Sequence, residues 1–142
     1  YGLQEAQFQS YFRLAARQKG VTGENFLRLL ERRLDNVVFR LGMASSRNQA
    51  RHLVGHGHFL VNDRRVDVPS MLVKPGDVIT LKERSQDVPQ VRENLELNKT
   101  RQVPAWLELD GANFTGRMLA LPGREEIDTQ VREQLVVEFY SK

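Results

Sequence analysis

Leu27, Leu30, Leu34, Val37 and Leu41 follow one another at alternating spacings of three and four residues. Because about 3.6 residues complete a helical turn, that rhythm puts all five on one side of an α-helix. It predicts a helix running to about Gly42, with Asp35 the point at which a second helix would be capped if the first stopped early. Upstream, Phe8, Tyr11, Phe12 and Ala15 recur at helical spacing, and Gly20 stands where a helix would end. Residues 4–19 are therefore read as a first amphipathic helix, with Arg13 and Arg17 on its other side.

Beyond Gly42 the signals become shorter. Ser46 followed by Gln49 is the capping-box pattern, and Ala50, Leu53 and Val54 supply an apolar edge until Gly55 or Gly57 stops the helix. His58 to Asn62 reads as a strand, Asn62-Asp63 as a tight hairpin turn and Arg64 to Val68 as the partner strand. Lys74-Pro75-Gly76-Asp77 places proline and glycine at the centre of a type II turn leading into a strand over Val78 to Leu81. A polar loop over residues 83–90 and a helix over about 91–100 follow. Trp106 to Leu109 and Thr115 to Leu121, joined through Asp110-Gly111, predict a second strand pair, and Val131, Leu135, Val136 and Phe139 a closing helix.

With 142 residues, 40% of them hydrophobic and 27% charged, the chain is long enough to bury a core, in one or two compact domains. No apolar stretch approaches the roughly 20 residues of a membrane span, and the first residues lack a signal-peptide layout, so no membrane association is expected. The absence of cysteine excludes a disulfide framework and any thiolate ligand or nucleophile.

The net charge of +3 hides a regional imbalance. Residues 1–84 carry 14 Lys or Arg against 8 Asp or Glu, whereas residues 85–142 carry 7 against 10. Within the basic part, Asn36 to Asn62 holds three arginines, three histidines and no carboxylate. Clustered cations condense phosphate and release its counterions, which points to a polyanionic partner; a solvated basic face is the alternative. On the helix opened by Ser46, Arg47 and Arg51 share a face, as do Asn48 and His52. A phosphate docked at Ser46, Arg47 and Asn48 would meet free backbone N–H groups and the positive end of the helix dipole. The competing expectation pairs these arginines with acids brought near by folding.

His52 and His56 are also four apart and face one way, but no cysteine or neighbouring carboxylate completes a usual ligand set, so no metal and no cofactor is expected. Hydrogen bonding to phosphate or ribose, or simple exposure, is the reading of His52, His56 and His58. No nucleophile motif or pair of acids marks a catalytic centre, and the chain is read as a non-enzyme.

The stretch RLDNVVFRLGMASSRNQARHLVGHGHFLVNDRRVDVPSMLVKPGDVITL, from Arg33 to Leu81, resembles the RNA-binding module named after ribosomal protein S-four. The flanks TGENFLRLLERRLDNVVFRLG, PAWLELD and EQLVVEFYSK extend the resemblance over essentially the whole chain, to the bacterial small-subunit ribosomal protein family itself. Ser46, Arg47, Gln49, Ala50 and Arg51 match the module's second helix, and Gly57, Val61 and Asn62 its strand entry. The resemblance implies an α+β architecture: an all-helical domain built from both chain ends, residues 1–33 with 127–142, and an inserted α/β domain over 34–126 with a mainly antiparallel sheet. The module itself would span about 34–82.

What the family implies about function is direct binding of small-subunit ribosomal RNA at a folded junction and nucleation of the subunit body. It also implies an influence on decoding accuracy with the neighbouring proteins S-five and S-twelve, and repression of its own operon through messenger RNA, all in the cytoplasmic ribosome. It further implies that the N-terminal segment of full-length members, often cysteine-bearing, is missing here. Arg47 and Arg51 are the leading RNA contacts, with Ser46, Asn48, Gln49, His52, His56 and His58 around them and Arg13, Arg17, Lys19, Arg64, Arg65 and Lys74 in support. Two other expectations compete. One is the grip of an RNA-modifying enzyme such as a pseudouridine synthase, for which 142 residues leave little catalytic room; the other is a helix-turn-helix DNA reader around Gly42 to Ser45.

Overall fold

The computed structural model describes residues 5–17, 22–86, 89–99 and 102–122. The chain divides into two compact units, one of Tyr1–Glu31 with Pro122–Lys142 and one of Arg32–Leu121.

In the first unit, α1 (Glu5–Arg17) and α2 (Thr22–Glu31) bury the apolar sides their periodicity defines. Tyr11, Phe12 and Ala15 of α1 and Phe26, Leu27, Leu29 and Leu30 of α2 are buried. The Phe12 and Phe26 rings lie 6.0 Å apart and tilted, a favourable aromatic arrangement. Asn25 Nδ2 donates to the Ala15 carbonyl at 3.3 Å, and Arg28 Nε to the Pro122 carbonyl at 3.0 Å. Gly20, Lys19 and the closing helix expected near the C-terminus lie outside the described residues.

The leucine rhythm that predicts one helix to Gly42 is divided between the two units. α2 stops at Glu31, and a separate helix, α3 (Leu34–Arg40), begins in the second unit. Three backbone hydrogen bonds to a distant segment make the break: Val73 N–H to the Arg32 carbonyl at 2.8 Å, Leu34 N–H to Met71 at 2.8 Å and Asp35 N–H to Pro69 at 3.1 Å. The residue ahead of α3 is Arg33, extended at φ −59°, ψ 139° and bridged to Leu72, while Asp35 sits inside the first turn. Arg33 and Asp35 form a buried bidentate pair, Nε to Oδ1 at 3.0 Å and the second contact at 2.9 Å. α3 then ends as its glycine requires. Gly42, at φ +87°, sends its N–H to Phe39 while Met43 N–H reaches Val38, the double bond of a Schellman stop.

α4 (Arg47–Gly55) packs against α3 and leads into β1 (Phe59–Val61). Asn62 and Asp63, at φ 51° and 65°, make the two-residue turn to β2 (Arg64–Arg65), because both left-handed positions match the twist of a hairpin. The partner strand is shorter than its predicted span to Val68. After Val66 the chain leaves the edge toward Pro69, whose carbonyl is committed to α3 and whose nitrogen has no hydrogen to donate. The turn at Lys74 has its i+3 to i bond, Asp77 N–H to Lys74 carbonyl at 3.0 Å, with Gly76 at φ +93°. It feeds β3 (Val78–Leu81), the span predicted.

Next come α5 (Pro89–Leu97), which starts two residues earlier than expected, and the pair β4 (Leu107–Asp110) and β5 (Thr115–Met118). A 3-10 turn over Gly111–Asn113 joins that pair in place of a tight Asp-Gly hairpin. The second unit is thus an α+β domain with one antiparallel five-stranded sheet in the order β2-β1-β3-β5-β4. Phe59, Val61, Ile79, Leu81, Leu107 and Met118 point into a core shared with Leu34, Val37, Val38 and Leu41 of α3 and Ala50, Leu53 and Val54 of α4.

Gly116 on β5 lies against Leu41, the residue that follows α3. A Cβ there would overlap the buried Leu41 side chain. Gly116→Ala is therefore expected to lower the unfolding free energy by about 1 to 3 kcal/mol, as overpacking does. Urea denaturation measures it, and an unchanged midpoint would mean that Leu41 can step aside.

Candidate nucleic-acid interface

The start of α4 is built by side chains that satisfy its free backbone donors. Ser46 is extended at φ −154°, ψ 165°, and its Oγ accepts the Gln49 N–H at 3.0 Å. The reciprocal arm of the capping box is displaced by one residue: Gln49 Oε1 accepts the N–H of Ser45 at 2.7 Å. Asn94 of α5 secures that arm from behind, donating to Gln49 Oε1 at 2.7 Å and to the Met43 carbonyl at 3.1 Å. The first turn of α4 carries no acidic residue, so nothing there offsets the positive end of the helix dipole.

Arg47 and Arg51 behave differently although they share a face. Arg51, Asn48 and His52 are exposed, whereas Arg47 is half-buried against α3. Its Nε donates to Asn36 Oδ1 at 2.7 Å, and its guanidinium lies 4.8 Å from the centre of the Phe39 ring. An amide and an aromatic ring carry no net charge, so these two contacts orient the guanidinium without cancelling its own. Asp35, the nearest acid before the carboxylate-free run, has both oxygens on Arg33. That acid is paired with Arg33, two residues before it.

At the other end of α4, Gly57 (φ +78°) sends its N–H to Val54 while His58 N–H reaches Leu53, the same Schellman stop as in α3. His52 and His56 have ring centres 6.2 Å apart, and His56 and His58 6.3 Å. The His58 ring, half-buried, keeps its Nδ1 2.8 Å from Ser85 Oγ. Its pKa is pushed below the ordinary histidine value, by burial first and then by repulsion from His56 and Lys82. Among the described residues, no group of three or more His, Asp or Glu is arranged to hold a metal ion.

Of the supporting residues, Arg64 and Arg65 are exposed on β2, and Arg65 lies directly over Gly57. Lys74 belongs to a different bracket. Its N–H donates to Asp77 Oδ2 at 2.9 Å, while Asn62 accepts Val78 N–H at 3.0 Å and donates to Asp77 Oδ1 at 2.9 Å, tying the hairpin turn to the type II turn. Arg13 is exposed on α1 in the other unit, Arg17 ends that helix, and Lys19 lies outside the described residues. No pattern in the sequence singles out Lys82 and Ser85. They stand 24 and 27 positions beyond His58, and only the sheet brings them to it.

A capped, acid-free helix start with two arginines, set on an antiparallel sheet whose hairpin adds two more, gives a small α+β domain a basic face. Residues 32–79 match the family model described as S4 domain, and residues 1–31 the one described as ribosomal protein S4/S9 N-terminal domain. The two matches meet where the two compact units divide. The chain is 56% identical to small ribosomal subunit protein uS4 of Pelotomaculum thermopropionicum, 55% to that of Acetivibrio thermocellus and 58% to that of Trichlorobacter lovleyi. Each alignment covers all 142 residues of this chain and 68% of the relative. The chain belongs to the uS4 family of small ribosomal subunit proteins.

Proposed function

We propose that this chain is a non-catalytic primary binder of small-subunit ribosomal RNA, gripping the phosphates of a folded junction through the start of α4. The observation that carries it is the first turn of α4: a Ser46-capped terminus without an acidic residue, beside Arg47 and Arg51. Shape and backbone charge, more than base sequence, supply the selectivity. Arg64, Arg65 and Lys74 add contacts from the sheet side, and Arg13, Arg17 and Lys19 from the helical domain read as residues 1–33 with 127–142. In the cytoplasmic ribosome such a grip nucleates assembly of the subunit body. Contacts with proteins S-five and S-twelve would extend it to decoding accuracy, and a similar fold in its own messenger RNA would let it repress its operon.

The test is the salt dependence of binding to transcribed bacterial small-subunit ribosomal RNA. With roughly five phosphates neutralised, log K falls against log salt with a slope of about −3.5 to −4.5. A flat response removes the electrostatic grip, and equal affinity for duplex DNA of the same length removes the preference for structured RNA.

A further inference from the structure

Arg92, Leu95 and Glu96 of α5, with Lys99 in the turn that closes the helix, recur at three- and four-residue spacing and so share one side. They line a cleft of about 640 Å³, within the range of roughly 300 to 1,000 Å³ typical of small-ligand sites. Across from them stand Leu109 of β4 and Phe114, which closes the 3-10 turn Gly111–Asn113, and the buried Leu41 completes the apolar lining. Asn98 moors this end of α5, donating from Nδ2 to the Gly42 carbonyl at 3.1 Å. None of the lining residues is among the RNA contacts predicted above.

Phe114 is held in the left-handed region at φ 50°, ψ 42°, a conformation that a bulky side chain adopts only under constraint. Its carbonyl accepts the Leu81 N–H at 3.0 Å and its own N–H reaches the Gly111 carbonyl at 3.4 Å, so the backbone is pinned on both sides. Strain of this kind gathers at ligand clamps. The half-buried ring lies 5.5 Å from the Arg92 guanidinium, whose Nε donates to the Gln86 carbonyl at 2.6 Å. A guanidinium anchored by an aromatic ring and a carbonyl is a preorganised planar cation, the kind of surface on which an unstacked nucleic-acid base lies. Lys99 stands seven positions beyond Arg92, about two helical turns, so a phosphate on the far side of the ribose meets its ammonium. Glu96, between them in sequence, is an acceptor only and suits a base edge that carries an amino group. We propose that this cleft is a site for a single unstacked nucleotide, its base on the Arg92–Phe114 pair and its phosphate on Lys99. An anion alone would leave the apolar lining unused, and an apolar molecule alone would leave the cations unused; a nucleotide engages both. Whether it is a free mononucleotide or one turned out of a bound RNA, the chemistry it presents is the same.

The test is an NMR titration of the full chain with guanosine monophosphate, which is expected to shift the Phe114 ring and the Lys99 and Gly111 amides to saturation. Guanosine, without the phosphate, should bind about 3- to 10-fold more weakly. Arg92→Lys keeps the charge and removes the plane, and should weaken both ligands about tenfold. Lys99→Gln should bring guanosine monophosphate down to the affinity of guanosine and leave guanosine unchanged. Both side chains are exposed, so signals away from the cleft should stay in place and report an intact fold. Inorganic phosphate that moves the same signals with the same affinity overturns the nucleotide site, as do guanosine monophosphate shifts confined to Ser46 and Arg47 or unaltered in Arg92→Lys. Transcribed bacterial small-subunit ribosomal RNA then separates the two sources. Displacement of the mononucleotide assigns the cleft to a nucleotide of the RNA, and its retention on the RNA-bound protein assigns the cleft to a free one. If the RNA does not bind at all, the RNA reading falls and the mononucleotide titration alone decides the cleft.

Discussion

Asp35→Ala is expected to destabilise the Arg32–Leu121 unit by about 3 to 5 kcal/mol, the cost of taking one partner from a buried ion pair. Arg33 and Asp35 are almost completely excluded from solvent, and both carboxylate oxygens are engaged by the guanidinium. Removing the carboxylate leaves a buried cation beside Leu34 and also deprives the Asn36 N–H of its 2.7 Å bond to Oδ1. For a domain of this size the loss amounts to about 10 °C or more in melting temperature. The cause is separable from the position. Replacing the pair together, Arg33→Met with Asp35→Leu, exchanges two desolvated charges for apolar packing and is expected to be less destabilising than Asp35→Ala alone. Thermal unfolding by circular dichroism checks both; a loss below about 1 kcal/mol for Asp35→Ala would mean that water reaches the pair.

The second large effect falls on RNA affinity. Arg47→Ala with Arg51→Ala should weaken binding to small-subunit ribosomal RNA about tenfold to a hundredfold near physiological salt. The salt slope should become shallower by about 1.4 to 1.8, one increment for each of the two phosphates that no arginine then neutralises. Arg47 is also held on Asn36 and Phe39, so the double variant loses some packing, and its melting temperature must be measured alongside. The slope is the cleaner reading, since partial unfolding lowers the active fraction without changing how many counterions each bound molecule releases. Footprinting adds position: if the double variant protects the RNA as the wild type does, the grip is elsewhere on this chain.

Local chemistry was legible wherever it used neighbouring residues. Ser46 and Gln49 announce the start of α4, Asn62-Asp63 the hairpin and Pro75-Gly76 the type II turn, because each depends on backbone angles or on a donor within four residues. The early start of α5 had a signal too: Pro89 occupies the first helical position, where its missing N–H costs nothing. The break between α2 and α3 had none. The leucine spacing continues unperturbed through Arg32 and Arg33, and the hydrogen bonds that divide it come from residues 69, 71 and 73.

The candidate site divides the same way. Arg47, Arg51 and the histidines are visible as residue types at helical spacing in a run without carboxylates. That Arg47 is turned onto Phe39 while Arg51 stays exposed is a consequence of how α4 packs on α3. Arg65 lies over Gly57 only because β2 pairs with β1 beside a glycine that has no side chain to obstruct it. Likewise the pairing of β5 with β3, and the contact of Gly116 with Leu41, join segments far apart in the sequence.

By itself, then, the order of residues determined which helices and turns could form and where negative charge was kept away, since those depend on periodicity, backbone freedom and composition within a few positions. The tertiary structure alone decided where the leucine-spaced helix was cut, which way Arg47 was turned and that Ser85 met the His58 ring. Those outcomes are set by hydrogen bonds and burial between distant segments, and only the closed sheet and its covering helices bring such segments within reach.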